Sequence, residues 1–180
     1  MKKLLLMLPC ALLLMMQSCL GDDNTNDYAD WINANRAYVD SISKVTENGL
    51  PVYKKITPDW APNNSVYIKW HNDTTLTSKN LSPMSNSTVN ITYRFENIYG
   101  TLIQDSYSNT AHGDSIYQSR PNQNIVGMWV GMLNMHVGDS VTMVIPSESG
   151  YGAQSSSAVA PYSTLVYHVK MKGILSYEKK

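Results

Sequence analysis

The first nineteen residues indicate the compartment in which the rest of this chain must fold. Lys2 and Lys3 form a positively charged start, and residues 4–16 are almost wholly apolar. That run is too short for a permanent membrane-spanning helix, which needs about 20 apolar residues, and it has the layout of a secretory signal. It is followed by Ser18-Cys19, which resembles a bacterial lipobox, where a small residue precedes a lipidated cysteine. We therefore expect residues 1–18 to be a lipoprotein signal peptide and Cys19 to carry lipid.

An exported chain with these cysteines has no disulfide to stabilise it. Cys10 is lost with the signal and Cys19 is used for the anchor, so the mature chain keeps no free thiol. Its hydrophobic core alone must then hold it together. Several acyl chains on one cysteine give stable membrane anchoring. Residues 19–27 are predicted to be the lipidated cysteine and a polar, acidic tether. The expected location is the cell envelope, at the outer membrane of a Gram-negative bacterium, on its periplasmic face or at the cell surface.

The composition excludes several classes of protein. Hydrophobic residues make up 43% of the chain and charged residues 16%, which is typical of a chain with a packed core and not of a disordered one. The formal net charge is zero, whereas nucleic-acid binding normally needs a basic face, so no nucleic-acid partner is expected. Two cysteines cannot form a four-cysteine zinc site, and the four histidines lack ligand spacing. We expect no metal.

Residues 28–64 are predicted to form a helical appendage at the N-terminus. Apolar side chains recur at spacings of three and four between Tyr28 and Glu47, which predicts an amphipathic helix with Gly49 as its C-terminal stop. Pro51, Pro58 and Pro62 then break the chain into an irregular stretch. The helix is interpreted as packing on the main domain, and a dimerisation or partner helix is the alternative.

Residues 65–180 are predicted to form the main domain, built mostly of strands. Apolar and polar residues alternate over Val66–Trp70, Val89–Phe95 and Val141–Ile145, and most clearly over Thr164–Ile174. In the last of these, Leu165, Tyr167, Val169 and Met171 form one face. A short helical stretch covers Ile125–Met135, and the residues from Gly100 to Asn124 are predicted as loop. An α+β fold with an antiparallel sheet follows.

Short motifs in this domain occur in a specific order. They include Asn90-Ile91-Thr92-Tyr93, Ile125-Val126-Gly127-Met128, His136-Val137-Gly138-Asp139, Val144-Ile145-Pro146, Gly150-Tyr151-Gly152 and Pro161-Tyr162-Ser163-Thr164-Leu165-Val166-Tyr167. Together they resemble the FK506-binding-protein (FKBP) type of peptidyl-prolyl cis-trans isomerase over about residues 89–175. The resemblance implies a bent antiparallel sheet wrapped around one short α-helix, to which the extra N-terminal helix is added.

The resemblance also implies a chemistry that uses no cofactor. The barrier to rotating a peptide bond is about 18–20 kcal/mol, and X-Pro bonds populate both isomers. Rotation passes through a twisted amide, which an apolar, aromatic-lined pocket favours while a few donors hold the flanking carbonyl groups. No nucleophile, metal or acid–base pair is needed. The expected partners are proline-containing peptides or unfolded segments of exported proteins, together with the membrane that holds the lipid anchor.

Ten residues of this sequence fall on or next to pocket positions of the family. The resemblance implies catalytic roles for Tyr93, Ile103, Gln104, Asp105, Ile125, Met128, Tyr151 and Tyr167, and substrate-binding roles for Tyr117 and Val159. Tyr151 stands where the family has a tyrosine that donates to a substrate carbonyl group. Ile125 stands where the family binds substrate through its backbone.

Three departures from the family pattern bear on activity. The tryptophan of the pocket floor is replaced by Met128, and Trp129, one residue on, is rotated by about 100° on a helix. The Phe-Asp pair of the family falls on Ile103-Gln104, with Asp105 one residue further. Phe95 stands where the family has a glycine.

Two functions therefore remain open at this point. The first is a lipid-anchored prolyl isomerase that assists the folding of exported proteins. The second is a catalytically weak or inactive FKBP-like module that binds a peptide or protein at the cell envelope. A weaker alternative is a surface lipoprotein that binds glycan through exposed Trp and Tyr side chains, but Trp31, Trp60 and Trp70 are interpreted as core or packing residues.

Overall fold

The computed structural model describes residues 24–108 and 115–177. The predicted signal, Cys19 and the start of the tether lie outside these residues. The helices are α1 (Asn24–Ser43), α2 (Thr74–Thr77) and α3 (Val126–Leu133), with 3-10 turns at Pro121–Gln123 and Ser147–Ser149. The strands are β1 (Thr46–Glu47), β2 (Leu50–Pro51), β3 (Lys54–Ile56), β4 (Val66–Trp70), β5 (Thr88–Glu96), β6 (Leu102–Asp105), β7 (Tyr117–Ser119), β8 (Ser140–Ile145) and β9 (Leu165–Ser176). The predicted α+β class is confirmed.

One antiparallel sheet organises the part of the chain that the structure describes. Six of its seven strands follow the order β3-β4-β8-β9-β5-β6. The seventh, β7, pairs with β5 on the same side as β6. The longest ladder joins β5 to β9, from Thr88 opposite Ser176 to Glu96 opposite Val166. Four alternate residues of β5, Val89, Ile91, Tyr93 and Phe95, are buried on one face. That face carries the main hydrophobic core.

Helix α3 lies against this face at an unusually short distance. A Cβ atom on Gly127 would overlap the side chain of Ile145, and one on Gly131 would overlap Met143. Both partners belong to β8, so the two glycines allow the helix axis to approach the strand closely. This approach buries Met128, at 3% exposure, against the sheet.

Helix α1 covers the opposite face of the same strands. Ile42 packs with Val144 of β8 and Val166 of β9, and the half-buried side chains around them are Tyr38, Val39, Tyr53 and Tyr67. The sheet is therefore enclosed by α3 on one side and α1 on the other, which explains why five consecutive residues of β8 are buried. The apolar stripe of α1 is already occupied within the chain, and this disfavours the alternative of a partner helix.

The predicted end of the N-terminal helix is wrong. Helix α1 ends at Ser43 instead of Glu47, and Gly49 does not cap it. Asn48 and Gly49, with φ angles of 51° and 77°, connect β1 to β2. Positive φ at both central residues defines a two-residue type I′ hairpin turn, for which Asn-Gly is the favoured pair. The dipeptide is thus a stronger signal for a hairpin than for a helix stop.

The prediction of loop between Gly100 and Asn124 is also wrong in part. This stretch contains β6, β7 and the 3-10 turn at Pro121–Gln123. Among the described residues, both strands pair with β5 alone, and they have four and three residues. Strands this short carry too few residues for an alternating pattern to stand out.

A buried carboxylate ties the start of β8 to the region around β4. Asp139 is 1% exposed and accepts hydrogen bonds from Thr77 Oγ1 (2.6 Å), His136 N–H (2.9 Å), Asn72 Nδ2 (3.0 Å) and Trp70 Nε1 (3.3 Å). Burial by itself would raise the pKa of Asp139, but the four hydrogen bonds outweigh it and hold the pKa below its ordinary value. The ionised form is therefore part of the folded structure.

We expect Gly127→Ala to destabilise the fold although alanine favours helices. Overpacking costs about 1–3 kcal/mol, because the branched Ile145 side chain stands next to its own backbone and has little room to move. This exceeds the gain of roughly 1 kcal/mol that alanine normally brings to a helix. Urea unfolding measures the difference, with Gly173→Ala as the matched control because no atom lies within 4 Å of that added Cβ. Equal stability of the two variants would show that α3 does not approach β8 so closely.

We expect Asp139→Asn to lower stability at neutral pH by about 2 kcal/mol or more, because an amide cannot accept from four donors. The folded-state pKa lies below the unfolded value of about 3.9. The contribution of Asp139 is therefore fully present above that value and is lost as the pH falls through the folded-state pKa. Urea unfolding at a series of pH values should show the gap between wild type and variant narrowing in acid. A gap that does not depend on pH would contradict this role.

Candidate active site

A small cavity opens on the core side of the sheet, above α3. Its volume is about 130 Å³, and it is lined by Ile91, Tyr93, Gln104, Tyr117, Asn124, Met128, Tyr151 and Tyr167. An engineered cavity of about 150 Å³ is known to hold one benzene molecule. The space therefore suits one small ring and excludes a large aromatic system.

Three strands supply the aromatic walls. Tyr93 of β5 meets Tyr117 of β7 edge to face, with ring centroids 5.3 Å apart and an angle of 80° between the planes. Tyr167 of β9 lies 6.4 Å from Tyr93 and stacks on Phe95 at 4.4 Å. These pairings fall within the 4.5–7 Å range, or at its edge, in which aromatic pairs stabilise each other. The walls are therefore fixed by ring–ring contacts, and Phe95 supports Tyr167 from behind.

The floor of the cavity is Met128 in α3. Trp129, the next residue, points elsewhere, as the helical rotation predicts. Its ring lies 4.4 Å from that of Trp60, and its Nε1 donates to Ser85 Oγ at 3.3 Å. The floor is thus an unbranched, flexible thioether in place of a rigid ring.

The side chains of Tyr151 and Tyr167 both line the cavity. Burial raises the pKa of Tyr167 well above its ordinary value, and the neighbouring Tyr151 and Tyr93 and the hydrogen bond with Tyr151 raise it further. Tyr167 is therefore a neutral phenol at the wall of the cavity. A phenol oxygen can accept and donate at once. The Tyr151 side chain, which also lines the cavity, is 41% exposed, so its hydroxyl group can donate to a ligand.

An irregularity in β6 decides which of its side chains reaches the cavity. Gln104 is opposite Phe95 and Asp105 is opposite Arg94, and Ile103 is an extra residue before the ladder continues. Gln104 lines the cavity and Ile103 packs against the core beside it. Asp105, on the alternate face, accepts instead from the N–H and hydroxyl of Ser108, at 2.7 and 2.6 Å.

The structure accordingly does not bring Asp105 to the cavity. Hydrogen bonds from the Ser108 hydroxyl and N–H hold the pKa of this carboxyl below its ordinary value, so it is ionised and committed to the turn. The amide of Gln104 takes the place next to the aromatic walls.

Two further predicted residues border the cavity without lining it. Ile125 immediately precedes α3, its carbonyl accepts from Trp129 N–H, and its own N–H has no hydrogen-bond partner among the described residues. Val159 is 6% exposed and belongs to the core cluster that includes Met128. A free N–H at the first turn of a helix is a donor suited to a carbonyl group.

The cavity also contains two residues that the sequence did not single out. Ile91 lies two residues before Tyr93 in β5 and therefore shares its face. The alternating sequence pattern of this strand could have predicted its place next to Tyr93. Asn124 stands just before Ile125, and its Nδ2 donates to Ser119 Oγ at 2.8 Å and to the Arg120 carbonyl at 2.6 Å. Nothing in the sequence pattern of the loop indicated Asn124.

In residues 24–108 and 115–177, no group of three or more His, Cys, Asp or Glu side chains is arranged to hold a metal ion. Within the same ranges, the helices lack the length and apolarity needed to cross a bilayer.

Comparison with known proteins agrees with this architecture. The sequence model of the FKBP-type peptidyl-prolyl cis-trans isomerases matches residues 79–172, slightly more than half of the chain. The crystal structure of FkpA from Escherichia coli matches with a TM-score of 0.64 and 23% identity, covering 83% of this chain and 61% of that one. This chain thus spans less than two thirds of the length of FkpA. Comparison with curated protein sequences found no match.

The match to a second solved structure includes almost the whole of that structure's chain. That protein is a peptidyl-prolyl cis-trans isomerase from Pseudomonas syringae pv. tomato str. DC3000, with a TM-score of 0.64 and 19% identity over 86% of this chain and 98% of that one. At these identities the two structures show a shared fold. The strands β5 and β8, helix α3, the first eight residues of β9 and all residues that line the cavity lie within the residues that the family's sequence model matches, and this chain belongs to the FKBP-type peptidyl-prolyl cis-trans isomerase family.

Proposed function

We propose that this protein is a lipid-anchored peptidyl-prolyl cis-trans isomerase that assists the folding of exported proteins. The observation that carries the proposal is the convergence of Tyr93, Tyr117, Tyr167 and Met128 around a cavity of about 130 Å³, the size of one small ring. A prolyl side chain is such a ring. The substrate would be a proline-containing peptide or an unfolded segment of a protein.

The arrangement suits catalysis by selective binding of a twisted amide. The tyrosine rings and Met128 would lie against the prolyl ring and shield part of the prolyl bond from water, and a twisted amide is less polar than a planar one. The Tyr151 hydroxyl, at the cavity, and the Ile125 N–H, next in sequence to the cavity residue Asn124, are two donors that could hold the carbonyl groups on either side of the bond. The position of Ile125 is fixed by the helix that follows it.

A peptide-binding module with weak or no catalysis is the second candidate. It is favoured by the polar groups of Gln104 and Asn124 at the cavity and by the commitment of the Asp105 carboxylate to a turn. An amide next to the prolyl ring cannot supply the negative charge that a carboxylate would. The flexible Met128 floor also defines the shape of the cavity less rigidly than a ring would.

We expect the mature protein to accelerate cis-trans isomerisation of a short X-Pro peptide, and Tyr151→Phe to lower kcat/KM about tenfold. That factor corresponds to the loss of one hydrogen bond worth about 1.4 kcal/mol. The matched control is Tyr162→Phe, a half-exposed tyrosine of the same loop that does not line the cavity. No acceleration by the wild-type protein would exclude the enzyme and leave the binding module. An equal effect of the two variants would exclude the role of Tyr151.

The anchoring part of the proposal rests on the sequence of the first nineteen residues. We expect the protein to incorporate a labelled fatty acid when expressed in a Gram-negative bacterium and to sediment with the membranes. Cys19→Ser should abolish both, because the thiol is the only lipid acceptor that the lipobox-like sequence provides. Cys10→Ser is the control, since this residue is removed with the signal and should leave labelling unchanged. Labelling that persists in Cys19→Ser would contradict the assignment.

A further inference from the structure

Helix α1 is attached to the loop that precedes β9 by two side-chain hydrogen bonds. Trp31 Nε1 donates to the carbonyl of Pro161 at 3.0 Å. Asn35 Oδ1 accepts from the N–H of Thr164 at 2.7 Å. These contacts span about 130 residues of sequence and connect α1 to both ends of the short segment 161–164.

Asn35 is held in a single orientation. Its side chain is 2% exposed, and its Nδ2 donates to the Trp31 carbonyl at 2.8 Å while its Oδ1 faces Thr164. Asparagine is unfavourable in a helix interior, and an unpaired amide would be costly to bury. A buried asparagine with both ends paired is therefore a specific connection between α1 and Thr164.

The attached segment leads directly to the cavity. Tyr162 N–H donates to the Gly152 carbonyl at 2.7 Å, which joins the two limbs of the loop next to Tyr151. Tyr162 has a φ of 58°, a left-handed conformation that a non-glycine residue adopts at a cost and keeps only where its surroundings fix it. The strand β9, which carries Tyr167, begins one residue after Thr164.

The turn on the other side of the cavity touches the same tryptophan. The ring of Trp31 lies 5.9 Å from that of Tyr99, in the turn between β5 and β6. The strand that follows this turn contributes Gln104 to the cavity. One side chain of α1 thus contacts both loops that border the candidate site.

We propose that Trp31 and Asn35 are positioning residues, through which α1 holds the loop of residues 150–164 so that Tyr151 points into the cavity. The inference rests on the proposed isomerase function and adds to it a segment outside the family-matched residues 79–172. Tyr151 can donate to a substrate carbonyl efficiently only if its position is fixed in advance. The helix therefore belongs to the active unit, although it contributes no atom to the cavity lining.

The test compares four variants of the mature protein with wild type. Asn35→Ala removes both hydrogen bonds of the amide, and Trp31→Phe removes the bond to Pro161 while keeping a ring next to Tyr99. Asn33→Ala is the matched control on the exposed side of α1, and Ile42→Ala removes buried contacts with Val144 and Val166, away from the loop.

Two measurements are made at a temperature at which all variants stay folded. The first is kcat/KM for an X-Pro peptide. We expect a fall of about tenfold for Asn35→Ala and a smaller fall for Trp31→Phe, the effect of losing hydrogen bonds of ordinary strength. Asn33→Ala and Ile42→Ala should stay within about twofold of wild type, although Ile42→Ala lowers stability. Wild-type kcat/KM in Asn35→Ala and Trp31→Phe, or an equal fall in Ile42→Ala, would overturn the proposal.

The second measurement, amide hydrogen exchange, does not depend on activity. Asn35→Ala should speed exchange at the N–H groups of Thr164 and Tyr162, and Asn33→Ala should not. Unchanged exchange at both amides would overturn the proposal even if the wild-type protein is an isomerase. If the wild-type protein shows no isomerase activity, the proposed function fails separately. In that case, exchange at the Tyr162 N–H and the NMR signals of the Tyr151 ring are compared between wild type and Asn35→Ala. A difference shows that α1 orders the loop, and no difference shows that it does not.

Discussion

The close contact between α3 and β8 is the constraint on which the rest of the structure depends. Gly127 and Gly131 have no side chains that would keep the helix away from Ile145 and Met143. The helix can therefore come close enough to place Met128 against the sheet, next to Tyr93 and Tyr167. The size of the cavity is therefore set by a helix–strand distance. The ring contacts on β5, β7 and β9 then fix its walls.

A second layer on the other face stabilises the same strands. Without a disulfide in the described residues, β8 and β9 are held from both sides, by α3 through Met143 and Ile145 and by α1 through Val144 and Val166. The polar part of α1 has a different role, because Trp31 and Asn35 contact the loop beside the cavity. One helix thus combines apolar packing on the sheet with hydrogen bonds near the candidate site. This links the N-terminal segment to the chemistry that we propose.

The sequence predicted the parts of the fold that repeat with a regular period or occur in a specific order. The alternation in β4, β5, β8 and β9 and the ordered glycine motifs led to the class, the sheet and the family. It did not predict β6 and β7, which are too short for a period, or the hairpin at Asn48-Gly49. The irregularity at Ile103 decides that Gln104 and not Asp105 reaches the cavity, and no sequence period contains that information. The contacts of Asn35 join distant parts of the chain, and only the folded arrangement reveals them.

We propose that the cavity accepts one prolyl ring between the tyrosines and Met128. A methyl NMR titration of the mature protein tests this, with a short proline-containing peptide and with the same peptide carrying alanine in place of proline. We expect the methyl signals of Met128 and Ile91 to shift with the proline peptide and to stay unchanged with the alanine peptide. Equal shifts with both peptides, or shifts that occur elsewhere while Met128 and Ile91 stay unchanged, would contradict the proposal.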